Sequence, residues 1–219
     1  MKRFIVNNAL SLTLFGLFLA TLVGLMVNGY VHQNEELQAH SQVTQSFGSY
    51  LTSNEFYEAV FENWESEFLQ MGMLVVLTIW LKQQGSADSK KLRGKEDVDT
   101  RSRYSIIRAQ SWKTRRKAIG LLVYGNSLSI ALFGLFFVSF GLHAVSGTGA
   151  ANQEALLHHQ PQQSVWQYMG SSQFWFESFQ NWQSEFLSVG LLIVLSIFLR
   201  QRRSPESKPV AAPNKATSE

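Results

Sequence analysis

Four apolar stretches divide the chain, and long polar segments separate them. Leu10 to Val27 reads LSLTLFGLFLATLVGLMV without a charge, and Ile119 to Val145 is equally uncharged, with Leu128 to Gly141 as its dense centre. Phe68–Leu81 and Phe186–Leu199 are shorter. About 20 apolar residues cross a bilayer as a helix rising ~1.5 Å per residue. The first and third stretches reach that length. The second and fourth reach it if their helices begin near Phe61 and Phe179, so the pattern predicts four membrane-spanning helices. The second should run from about Asn54 to Leu81, with Thr52 and Glu55 as a capping box at its start.

The polar breaks repeat as regularly as the apolar runs. Phe61-Glu62-Asn63-Trp64-Glu65-Ser66-Glu67-Phe68-Leu69 returns as Phe179-Gln180-Asn181-Trp182-Gln183-Ser184-Glu185-Phe186-Leu187, 118 positions on. Laid over one another without a gap, Asn8–Lys90 and Asn126–Lys208 agree at about 36 of 83 positions, far above chance. Each unit carries two spans, so both units insert in the same sense. The expected fold is all-α: a four-transmembrane-helix bundle made of two parallel two-helix repeats, related by a pseudo-two-fold axis along the membrane normal. Gly16, Ala20 and Gly24 form a small-residue stripe suited to close helix packing.

Charge then orients the bundle. All 19 Lys and Arg lie outside 4–81 and 118–199. By the positive-inside rule both termini and the central loop are cytoplasmic. The domains that follow are 1–84, a first two-span repeat; 85–117, a basic cytoplasmic linker whose segment Tyr104–Lys117 suits a helix lying on the membrane; 118–203, the second repeat; and 204–219, a disordered cytoplasmic tail. A basic balance distributed this way reports topology and argues against nucleic acid as a partner. The lipid bilayer is the expected partner. The chain has no cysteine, which excludes disulfides and thiolate chemistry.

The repeated motif holds the candidate chemistry. Counting up from Leu81, Glu67 falls inside the outer leaflet, and Glu185 stands likewise above Leu199. Asn63, Glu67 and Gln70 share one helix face, as do Asn181, Glu185 and Ser188, with Ser66 and Ser184 on the flank. Asn63, Ser66, Glu67, Asn181, Ser184 and Glu185 therefore form the candidate polar site within the membrane, while Trp64 and Trp182 suit an interfacial aromatic belt. Two readings stay open: a carboxylate pair binding a proton or cation, or two acids left among the headgroups. His40 and His158 occupy equivalent positions, but without carboxylate spacing they read as solvated loop histidines, and no metal site or cofactor is implied. There is no phosphate loop or nucleophile elbow, so the chain does not read as an enzyme.

The duplicated Asn-Trp-x-Ser-Glu-Phe-Leu, followed by an apolar run and a Leu-Arg/Lys-Gln…Ser-x-x-Ser-Lys ending, resembles an uncharacterised family of bacterial integral membrane proteins known as a domain of unknown function. The resemblance covers nearly the whole chain. It implies a multi-pass protein of the bacterial plasma (inner) membrane and carries no activity with it. Two functions remain: a small cation- or proton-linked transport or permeation protein, which with four spans calls for a homo-oligomer, or a non-catalytic membrane scaffold or stress-response component.

Overall fold

A computed structural model describes residues 2–94, 96–99 and 120–217. Among them there is no strand. The helices are α1 (Lys2–Asn7), α2 (Ala9–Ala39), α3 (Phe47–Tyr50), α4 (Asn54–Trp80), α5 (Ser127–Leu157), α6 (Val165–Met169) and α7 (Ser172–Phe198), with a 3₁₀ turn at Asp97–Asp99. Residues 120–125 are also helical and lead through Asn126 into α5. The expected membrane-surface segment at 104–117 lies outside the described residues.

Among the described residues three helices, α2, α5 and α7, are long and apolar enough to cross a membrane, judged by length and composition. Helix α4 has the same length as α7, 27 residues. It is more polar, because Glu65 and Gln70 stand where α7 has Gln183 and Ser188. The apolar side chains of α2 point outward almost throughout, with Leu10 74% and Phe15 68% exposed. Such a surface needs lipid or another chain to cover it.

Helices α2 and α5 each run 31 residues, or roughly 46 Å at 1.5 Å per residue. They continue well past Val27 and Val145 into segments whose polarity reads as loop. Two expected details also differ. The start of α4 is held by Ser53, whose hydroxyl accepts from the Phe56 amide at 3.3 Å, while the Thr52 hydroxyl turns back to donate to the Ser49 carbonyl. The capping box falls instead on α6, at Ser164 and Gln167. Gly16 and Gly24, set out for close packing, have nothing within 4 Å of an added Cβ.

Contacts group the chain into two units. The first comprises 1–61 and 142–171. Its returning loops are fastened by one device used twice. The Asn34 amide donates to the Gln45 carbonyl at 3.2 Å and accepts from its N–H at 2.8 Å; Asn152 does the same with Gln163, at 2.9 and 2.8 Å. Ser46 and Ser164 then cap α3 and α6. Each short helix delivers a buried tyrosine, Tyr50 or Tyr168, whose hydroxyl would overlap a Cβ on Gly29 or Gly147 respectively. Glycine is required at both places by that close approach. The paired rings of His40 and His158 also meet here, edge to face, with centroids 5.9 Å apart.

The second unit comprises 62–141 and 172–219. Phe136, Phe140, Phe174, Trp175, Phe179 and Trp182 form a continuous aromatic cluster with centroid separations of 5.2 to 6.4 Å. Trp182 is thus part of a packed cluster as well as a candidate interfacial residue. A Cβ on Gly72 would meet the Phe133 ring at 3.3 Å, so the two helices come close at that point. Past α4 the Gln83 amide donates to Ser89 Oγ at 2.7 Å, and past α7 the Gln201 amide donates to Ser207 Oγ at 2.8 Å. The Ser-x-x-Ser-Lys ending is therefore a loop that closes a helix end.

The tail expected to be disordered is tied down. Arg200 Nη2 donates to the Ala212 carbonyl and to Asn214 Oδ1, both at 3.0 Å. Lys208, largely buried, donates to the Asn214 and Ala216 carbonyls, both at 3.0 Å. The Gly85 amide donates to Thr217 Oγ1 at 3.0 Å, with Gly85 at φ +83°. Low hydrophobicity predicts disorder only when nothing else holds the chain, and here side chains capture backbone carbonyls directly.

Candidate polar site

Helix α4 carries Glu58, Glu62 and Glu65 at i, i+4 and i+7, a spacing that puts three carboxylates on one stripe. Their counterparts 118 positions on are Phe176, Gln180 and Gln183, so this stripe belongs to the first half alone.

In the second unit Glu65 is fully buried. Its carboxylate accepts from Ser178 Oγ at 2.9 Å and from Trp182 Nε1 at 3.1 Å. Ser178 is fully buried as well. The Glu62 carboxylate accepts from Asn181 Nδ2, which also donates to the Glu177 carbonyl at 3.1 Å. Insertion scales put an acidic side chain at mid-membrane depth at about 2.5–3.5 kcal/mol. Two hydrogen bonds to a charged acceptor contribute roughly 3–6 kcal/mol, enough to offset that cost. Two of the donors to Glu65 are thus a hydroxyl and an indole N–H, both neutral.

In the first unit Tyr168 Oη donates to Glu58 Oε1 at 3.2 Å, and the imidazole of the fully buried His143 comes within 4.8 Å of the Glu58 carboxylate. A carboxylate and an imidazole at this range can share a divalent cation, or exchange a proton through one bridging water.

The residues singled out from sequence divide. Asn181 and Trp182 are drawn into the polar contacts, with Glu62 and Glu65 as partners. Ser66 is buried, its hydroxyl donating to the Asn63 carbonyl at 2.8 Å. Asn63, Glu67 and Ser184 are exposed, Glu185 and Trp64 half-buried. The Ser184 hydroxyl donates to the Asn181 carbonyl at 2.8 Å. Sequence reasoning passed over Glu58, Glu62 and Glu65, while His143, at the end of the third span, was open to it as a partner for a buried acid. The signal for the three acids was present in the places where the halves disagree: Glu against Phe, Gln and Gln.

Over the described residues, fold and site together define an all-helical protein with three helices suited to a membrane and a fourth bearing one buried acid, Glu65, and two half-buried ones, Glu58 and Glu62. The chain belongs to the family described as Domain of unknown function (DUF6766), whose model matches residues 1–219. No curated protein and no solved structure matches it.

Proposed function

We propose that this is a multi-pass protein of the bacterial plasma membrane, with α2, α4, α5 and α7 all crossing it, both termini cytoplasmic and the two halves arranged as parallel repeats. Within it the acids of α4 bind a proton or cation in small-scale transport or permeation, with a homo-oligomer completing the path. The observation that carries this reading is the burial of Glu65, fixed by Ser178 and Trp182, in stretches that contain no Lys or Arg. A carboxylate held in apolar surroundings by neutral donors is suited to take up and release a cation.

A scaffold without transport is favoured by one specific observation: the buried Glu65 and the half-buried Glu62 already have donors on another helix, as a structural clamp would. The two readings separate in vesicles containing purified protein and a pH-sensitive or cation-sensitive dye. Transport predicts a flux that Glu65→Gln abolishes while Glu67→Gln retains most of it. A chain that moves no ion, and whose Glu65→Gln variant is merely less stable, supports the scaffold.

A further inference from the structure

The second unit contains a cavity of about 490 Å³ between α4 and α7, a size within the usual range for a small ligand. Its walls are apolar over most of their length, with Leu74 and Leu77 on α4 facing Phe186, Val189, Gly190 and Ile193 on α7. One end is different. There the lining passes Leu81, the last apolar residue of α4, and reaches Lys82, Gln83 and Asp88. An apolar slot that opens beside a cation at a helix end has the form of an amphiphile site.

We infer that this cleft holds one acyl chain of an anionic membrane phospholipid, with the phosphate against Lys82. The inference rests on the membrane reading above. That reading puts Lys82 at the cytoplasmic headgroups, where the leaflet is rich in anionic lipid and basic pockets between helices recruit it. The Lys82 ammonium gives hydrogen bonds to the Lys91 and Leu92 carbonyls, at 2.7 and 3.4 Å. These fix it at the mouth and use two of its three hydrogens. Asp88 also lines the mouth, and burial, then the charge of Glu206, raise its carboxyl above the ordinary value, which lessens its opposition to an anion. Lys91 and Arg93 in the same loop add positive charge, partly offset by Glu96 and by Asp99, whose carboxyl is held below the ordinary value by Lys90 and, more weakly, Lys82. Gly190 opens directly onto the cleft, and an added Cβ there has nothing within 4 Å. Its counterpart Gly72 is closed off by Phe133. The two halves differ at this point, and only the α7 side leaves room for a chain.

The test uses full-length protein extracted in mild detergent, with retained lipid counted by native mass spectrometry. Phosphatidylglycerol, phosphatidylcholine and palmitate are supplied in separate arms. Wild type should retain one phosphatidylglycerol per chain and much less phosphatidylcholine. Lys82→Ala should weaken phosphatidylglycerol about fivefold, as expected for one basic residue near an anionic surface. Gly190→Leu fills the cleft while replacing a mid-helix glycine by a better helix former, and should abolish retention. Lys82→Glu, at an exposed position, keeps the test standing if Gly190→Leu does not accumulate. Equal retention of both phospholipids, undiminished retention by Gly190→Leu, or retention of palmitate alone overturns the inference. A chain stripped from membranes by alkaline carbonate overturns the membrane reading with it. An integral chain that holds no phosphatidylglycerol overturns the lipid site alone.

Discussion

Glu65 and Glu67 are two residues apart, and the difference between them decides how the motif is understood. On a helix two residues turn the side chain by roughly 200°, so a face chosen from one excludes the other. The Asn63–Glu67–Gln70 face looks polar enough to be the inward one, yet of these only Gln70 is buried, alongside Ser66 and Glu65. Which face turns inward is settled by Ser178 and Trp182, more than a hundred positions away, and no local pattern contains that information. Exchanging the Glu65 carboxylate for an amide weakens two charge-assisted bonds. Glu65→Gln should therefore destabilise the protein by about 1–3 kcal/mol, and Glu67→Gln by under about 0.5 kcal/mol, in thermal melts in detergent. A second residue-level prediction concerns Gly147. An alanine there must displace the buried Tyr168 hydroxyl, so Gly147→Ala should cost about 1–3 kcal/mol, whereas Gly141→Ala, with nothing within 4 Å, should leave the melting temperature unchanged or slightly raised.

At the scale of elements, the apolar runs located every long helix, and α4 begins at Asn54 as its sequence suggests. The helix ends were less legible. Helices α2 and α5 extend into polar residues because Asn34 and Asn152 reach from the helix to hold the returning strand of chain. Polarity alone cannot distinguish a solvated helix from a loop. The loops after α4 and α7 show the same limitation, since their order comes from serine, lysine and arginine side chains bonding to backbone. Asp88 gives the first loop a pH dependence. Burial and then Glu206 raise its carboxyl above the ordinary value of 3.8, so the folded loop favours the protonated form. The stability this contributes is present below the unfolded value and is lost as pH rises through the folded one. The protection factors of the amides in residues 83–89, that is, exchange rates corrected for the intrinsic pH dependence of exchange, should be higher at pH 4 than at pH 7, by a small factor because Asp88 is only partly buried, and Asp88→Asn should remove the difference.

For the whole molecule, the central question is whether α4 crosses the membrane with its acids. Length favours it, at 27 residues like α7, and the hydrogen bonds to Glu62 and Glu65 offset what composition costs. The absence of cysteine allows single cysteines to be placed without background. The measurement that tests this most directly is labelling of Val43→Cys, Ala87→Cys, Gln162→Cys and Ala211→Cys in intact cells with a membrane-impermeant maleimide. Four crossings predict that Val43→Cys and Gln162→Cys are labelled, while Ala87→Cys and Ala211→Cys are protected until the cells are opened. If α4 stays on the outer side and only α2, α5 and α7 cross, Ala87→Cys and Ala211→Cys are labelled in intact cells and Gln162→Cys is protected. That result would contradict the account.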